Sequence, residues 1–276
     1  MAITAAEVNK LRQETGAGMM DCKKALEEAN GNFEEAVVIL RKKGMKVSAN
    51  RADRETKEGV VIIRTNAENN HAIIFGISCE TDFVAKNEEF LNFANSIGNA
   101  AQTANVATVA ELMEVNIDGV KISDRLIDYT GKIGEKITVM HYNNISGDSI
   151  VPYIHSNAKL GVLVVLNAAQ TDATLTAGKD VAMQIAAMNP VALDKDGVSA
   201  DMVEREIEIG KDMARQEGKP EAMIEKIAMG RLNKFYQDNT LLNQSFIKDG
   251  SMNVAQMLDK TQKDLTVTKF LRISVG

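Results

Sequence analysis

The chain has 276 residues, enough for one large domain or two modest ones with ample core. Hydrophobic residues make up 45% and charged residues 25%, but aromatics only 4% with no Trp, so the interior must be aliphatic, with 14 Met to fill gaps or adapt at surfaces. The formal net charge of −6 speaks against a broad non-specific nucleic-acid surface, which needs clustered Lys and Arg, and leaves room for no more than a local basic patch.

Cys22 and Cys79 lie far apart and form no CxxC pair, which fits a reducing compartment rather than a disulfide framework. Met1-Ala2-Ile3-Thr4 runs straight into a capped helix with no apolar leader, so no signal peptide is expected. No run approaches the about 18 apolar residues of a membrane span, and the expected location is the cytoplasm.

Residues 1–45 read as three short helices. Thr4 and Glu7 form a capping box, and Gly16 and Gly18 end the first helix. A second helix runs from about Met19 to Ala29 and stops at Asn30-Gly31. Asn32 caps a third, with Phe33, Ala36, Val37 and Leu40 on one side and Gly44 as its end. A unit this small buries little and is marginal by itself. Met19 and Met20 either fill its core or offer a soft surface contact. Residues 46–58 are dense in charge and read as a solvated linker or an exposed helix.

From Gly59 the period changes to that of strands: Val60 to Thr65, then His71 to Cys79. A helix with Phe90, Leu91, Phe93, Ala94 and Ile97 follows, with more helix near Val109 to Val115 and Ser123 to Tyr129. Strands recur at Ile137 to Tyr142, Ile150 to His155 and Leu160 to Asn167, before a helix from about Gly178 to Met188. Hairpin then helix occurs in both halves, which predicts two related α+β subdomains, antiparallel sheets with helices on one face. Residues 199–236 read as an inserted antiparallel helical hairpin broken at Gly218-Lys219-Pro220, which packs on itself or also on another molecule. The tail reads as strand, helix, strand, its last segment adding to the second sheet. The resulting division is 1–45 helical module, 46–58 linker, 59–136 first core subdomain, 137–198 with 237–276 second core subdomain, and 199–236 hairpin.

Catalytic patterns are missing. There is no GxxxxGK[ST], no HExxH and no GxSxG, and Gly131-Lys132-Ile133-Gly134 has neither the spacing nor the hydroxyl of a phosphate loop. His71, His141 and His155 are scattered and read as structural or exposed, so no enzyme activity, cofactor or metal is expected.

The stretch that organises the rest is Ser78-Cys79-Glu80-Thr81-Asp82-Phe83-Val84-Ala85-Lys86-Asn87, where a strand turns into a helix and sets a Phe beside a carboxylate. Such corners are surface features. Phe83 either folds back into the core or waits for a partner, and Asp82 is either a helix cap or a contact. The motif Thr81-Asp82-Phe83-Val84-Ala85-Lys86 resembles the signature of the bacterial elongation factor Ts family. Thr15-Gly16-Ala17-Gly18-Met19-Met20-Asp21-Cys22-Lys23-Lys24-Ala25-Leu26 is a second, longer match, and Leu160-Gly161-Val162-Leu163-Val164 and Glu217-Gly218-Lys219-Pro220 fit further along.

That resemblance implies a ubiquitin-associated-like N-terminal module, a two-part α+β core and a protruding coiled-coil hairpin. It also implies guanine-nucleotide exchange on elongation factor Tu, met both GDP-bound and nucleotide-free. By the same resemblance Thr81, Asp82, Phe83 and Val84 dislodge Mg²⁺ from the partner's nucleotide site, and Arg12, Met19, Met20 and His155 hold the partner elsewhere. No direct nucleic-acid or membrane contact is implied, while a homodimer or a 2:2 complex through the hairpin or core stays open. Some members carry a further C-terminal helical module, whereas this sequence stops at Gly276 just after its last strand, which puts any partner contact made by such a module in doubt. The alternative is a module that recruits a ubiquitin-like or ribosomal partner through its N-terminal helices, with the core as scaffold.

Overall fold

Polar caps and glycine stops lay out the first helices. In the computed structural model, which describes residues 3–276, α1 spans Ala5–Thr15 behind a reciprocal Thr4–Glu7 capping box and ends at Gly16 with φ 67°. Helix α2 spans Met19–Glu28, and Asn30 and Gly31 take the left-handed conformation after it. Helix α3 spans Phe33–Asn50 and is capped by Asn32, whose side chain accepts from the Glu35 N–H. Val8, Leu11, Cys22, Ala25, Leu26, Ala29 and Ala36 form the small core shared by these helices. Met1 and Ala2, the opening of the expected module, lie outside the described residues.

Gly44 does not end α3, contrary to the sequence reading. It is buried in the helix interior, and the first residues of the expected linker continue the helix. The reason is a helix crossing: a Cβ on Gly131 would fall 2.6 Å from the Gly44 Cα, so the two glycines let α3 lie directly on a core helix. The remainder of the expected linker is tied down, since Lys136 Nζ donates to the Ala52 and Arg54 carbonyls and Ser78 Oγ donates to Thr56 Oγ1.

Strands β1 (Glu58–Thr65) and β2 (His71–Cys79) pair antiparallel. They are followed by the single turn α4 (Asp82–Ala85), α5 (Glu88–Ala104), α6 (Val109–Glu114), the minimal hairpin of β3 (Asn116–Ile117) and β4 (Val120–Lys121), and α7 (Ile122–Ile133). Strand β5 (Thr138–Ser146) then pairs with β2, giving the order β1-β2-β5. The sequence assigned this strand to the second half; the structure hydrogen-bonds it into the first sheet. A period-two pattern tells which faces of a strand are buried and says nothing of which neighbour it joins.

Strands β6 (Ser149–Ile154) and β7 (Leu160–Leu166) form the second hairpin. Helix α8 (Asp172–Met188) begins earlier than expected, behind a Thr171–Thr174 capping box. Helices α9 (Ala200–Gln216) and α10 (Glu221–Asn239) form the hairpin, with Gly210 packed against Ala228. The short ribbon β8 (Ser245–Phe246) and β9 (Asp249–Asn253), helix α11 (Val254–Thr261) and β10 (Val267–Ser274) complete the chain, and β10 joins β7 to give the order β10-β7-β6.

The two sheets pack face to face. On β1, Val61 and Ile63 point to a layer shared with Leu163, Val165, Ile150 and Ile273 of the second sheet, while Val60 and Ile62 point to the opposite face. Alternation therefore persists, but both faces are apolar, as the near-continuous burial of β2 and β7 shows. Phe90, Ala94 and Ile97 of α5 and Leu126 of α7 cover the outer face of the first sheet. Val181 and Ile185 of α8 and Leu258 of α11 cover that of the second. The fold is α+β, with helices outside and two antiparallel sheets between them.

Candidate functional site

The 80–87 corner is built by a hydrogen-bond lattice. Thr81, not Asp82, is the N-cap of α4: its side chain accepts from the Val84 N–H, and Asp82 is the first helical residue. The Glu135 carboxylate takes the Glu80 N–H at 3.1 Å and the Thr81 N–H at 3.0 Å on one oxygen, and the Thr81 hydroxyl at 2.6 Å on the other. Arg51, just past α3, donates to both Glu80 oxygens at 2.8 Å, and the Lys136 N–H donates to Glu80 Oε1 at 2.6 Å. Burial raises the Glu80 carboxyl, but the Lys136 N–H and the Arg51 guanidinium outweigh it and hold the group below its ordinary value. Asp82 is likewise lowered, chiefly by its hydrogen bond from Lys86 Nζ at 2.7 Å.

Under this lattice the corner is apolar. Cys79 and Ala85 are buried in the first sheet's core, and Cys79 Sγ donates to the Thr81 carbonyl; burial pushes its thiol up to about 12. Phe83 goes the other way, with 84% of its surface exposed. A phenyl ring left in water at a turn pinned by charge-assisted hydrogen bonds contributes almost nothing to the fold of its own chain. Val84 is half-buried and packs against the core, anchoring the turn from below.

The other expected contacts are also on the outside. Met19 and Met20 open α2 with 54% and 64% of their surfaces exposed, so neither fills the module's core, and Arg12 of α1 is exposed. His155 is exposed just after β6, its Nδ1 3.0 Å from the Tyr153 hydroxyl. Its turn reaches the same edge as the corner: Lys159 pairs with Glu58, which lies opposite Cys79 in the β1–β2 register, and the Val61 N–H donates to the Ala158 carbonyl. A cleft of about 400 Å³ separates the N-terminal helices from α5 and α7. Charged groups on its walls pair with neighbours, Lys43 with Asp21, Arg41 with Asp124 and Lys132 with Glu89. Among the described residues no His, Cys, Asp and Glu group could hold a metal ion, and no helix is long and apolar enough to cross a membrane.

The sequence reading missed Arg51, Glu80, Glu135 and Lys136. The one local sign was Gly134, which ends α7 at φ 80° and marks a turn from which Glu135 projects. Gly131 and Gly134, read there only as a failed phosphate loop, serve the helix crossing and this turn.

A hydrogen-bonded bend that presents an aromatic ring to water, together with exposed thioethers at the start of α2, offers apolar surface of the kind that protein partners cover. Residues 80–276 match the family model for elongation factor Ts. Over 275 residues the chain is 56% identical to elongation factor Ts of Cytophaga hutchinsonii, covering 99% of each chain. It is 51% identical to that of Amoebophilus asiaticus over the full length of both, and 49% identical to that of Flavobacterium psychrophilum over 99% of each. The chain belongs to the elongation factor Ts family, whose members serve translation elongation in protein biosynthesis.

Proposed function

We propose that this chain is a guanine-nucleotide exchange factor for elongation factor Tu, and that Phe83 is the side chain that opens the partner's nucleotide site. The observation that carries the reading is the exposed ring on a bend that its own chain hydrogen-bonds in place. Mg²⁺ demands near-ideal octahedral oxygen coordination, so a small displacement of its ligands weakens it disproportionately. Phe83 inserts as an apolar wedge that moves those ligands. Asp82, a carboxylate whose proton affinity is lowered further by the hydrogen bond from Lys86, competes for polar groups at the same place. Thr81 and Val84 hold the bend, while Arg12, Met19, Met20 and His155 grip the partner away from the nucleotide. In this role the chain makes and breaks no covalent bond.

Linkage sets the cycle. A factor that lowers GDP affinity must itself be bound less tightly in the presence of GDP, by the same ratio. A coupling of about 3 kcal/mol corresponds to roughly 150-fold. The factor therefore binds nucleotide-free partner tightly and is expelled when GTP or GDP returns.

The test is release of a fluorescent GDP from elongation factor Tu. The wild-type chain accelerates it, and Phe83→Ala loses most of the acceleration while its melting temperature is unchanged. Release unaffected by the wild-type chain rejects exchange. In that case, capture of a ubiquitin-like or ribosomal partner that is abolished by Met20→Asp supports the recruiting module instead.

A further inference from the structure

Helix α4 has four residues, one turn. A single turn fixes several dihedrals for one or two hydrogen bonds and does not persist unaided. Besides the apolar anchors Cys79, Val84 and Ala85 beneath it, the chain between Cys79 and Asn87 is held from outside the segment by one carboxylate that grips its backbone. Glu135 accepts three hydrogen bonds from the two residues that precede the turn. The arrangement is reciprocal: the side chain of Glu135 takes backbone N–H groups of the corner, and the side chain of Glu80 takes the backbone N–H of Lys136. Arg51 closes the lattice from the end of α3, with side chains exposed by only 34% and 16% at the Arg51–Glu80 pair, where solvent screens less than at an open surface.

Two neighbouring carboxylates invite reading as a metal site or an acid–base pair. Their oxygens are instead occupied by N–H, O–H and guanidinium donors of this same chain. Their work is to fix a backbone.

We propose that Glu135 is a positioning residue for Phe83, and that the Arg51–Glu80 pair joins this fixed point to the N-terminal helices, so that the ring and the Arg12–Met19–Met20 surface meet a protein partner as one rigid body. The consequence at the partner rests on the exchange reading; the immobility of the bend does not.

The chain has no Trp, so Phe83→Trp places a lone reporter at the bend. In that background the indole follows the tumbling of the whole molecule in time-resolved anisotropy. Glu135→Ala adds a fast local decay, and Glu135→Gln, which keeps an acceptor for the two N–H groups, suppresses much of it. With native Phe83, Glu135→Ala slows GDP release from elongation factor Tu at least about tenfold, the scale expected when an acting group is present but no longer held. Adding Glu135→Ala to Phe83→Ala produces no further loss, because a positioning effect disappears with the group it positions. Unchanged anisotropy in Glu135→Ala overturns the inference whatever the exchange result. Equal slowing with and without the Phe83 ring also overturns it, since the effect then runs through another part of the molecule. Wild-type chain without effect on release overturns the exchange reading alone, and the anisotropy comparison still decides what Glu135 does.

Discussion

At the scale of single residues, the corner separates what stabilises the chain from what is left in solvent. Phe83 is the most exposed large apolar side chain described, so its removal changes stability by less than about 0.5 kcal/mol. Glu80 is the opposite case, a half-buried carboxylate that takes three hydrogen bonds from two residues, Arg51 and Lys136. Its carboxyl sits below the ordinary value of 4.5 in the folded chain, so the unfolded chain takes up the proton first. The stability this contributes is complete above that value and drains away as pH falls through the lower folded value. Urea midpoints from about pH 6 to about pH 3 should therefore fall, and Glu80→Gln should flatten the slope in that window. The two thiols are inert for a different reason. Both Cys22 and Cys79 are buried and both are raised by that burial, Cys79 to about 12, so almost no thiolate exists near neutral pH. A thiol reagent at about pH 8 should label neither in the native chain and both on unfolding; prompt labelling of Cys79 would mean that the corner opens on its own.

At the scale of elements, the decisive contact is between α3 and α7. Gly44 and Gly131 meet with no side chain between them, and the Cβ of an Ala at 131 would lie 2.6 Å from backbone. Neither helix backbone can yield as a flexible side-chain tip would. Gly131→Ala should cost about 1–3 kcal/mol by overpacking and loosen the N-terminal helices from the core. Limited proteolysis reads this as new cleavage between residues 51 and 57, and resistance equal to the wild type would show that the crossing tolerates a methyl group. These same glycines mark where the sequence was legible and where it was not. Thr4 with Glu7, Asn32, Asn30-Gly31 and the Gly218-Lys219-Pro220 break specify local geometry through neighbours in the chain, and the helices start and stop there as read. Gly44 looks like a stop because a glycine near a helix end usually is one. What overrules it is Gly131, far along the sequence. Strand β5 was readable as a strand but not as a neighbour of β2, because pairing is decided by register across the sheet. Glu135 was invisible because its partners are backbone N–H groups and a hydroxyl, and a lone carboxylate after a glycine reads as solvated. Phe83 draws notice as an aromatic at a surface corner, but the residues alone leave it either buried or exposed, and only the family resemblance favours exposure, which the structure shows.

For the whole molecule, the question is whether the two halves that resemble each other in element order behave as separate bodies. The packing says otherwise. Val61, Ile63 and Ile74 of the first sheet and Ile150, Leu163 and Val165 of the second lie in one buried layer, and Gly161 allows the approach, since a Cβ there would fall 2.5 Å from Val61 Cγ1. On the proposed reading, a partner held at the N-terminal helices, the Phe83 bend and the His155 turn meets one continuous packed core. The α9–α10 hairpin stands apart from this layer and is clasped at its base, where the Val191 N–H donates to the Asn239 carbonyl and the Leu241 N–H to that of Ala192. Leu163 is fully buried between the sheets, so Leu163→Ala leaves a cavity felt by both and should cost about 2–5 kcal/mol. If the sheets form one unit, calorimetry of this variant shows a single core transition moved to lower temperature, with calorimetric and van't Hoff enthalpies equal. If they are separate, the transition splits, and only the part containing β7 moves.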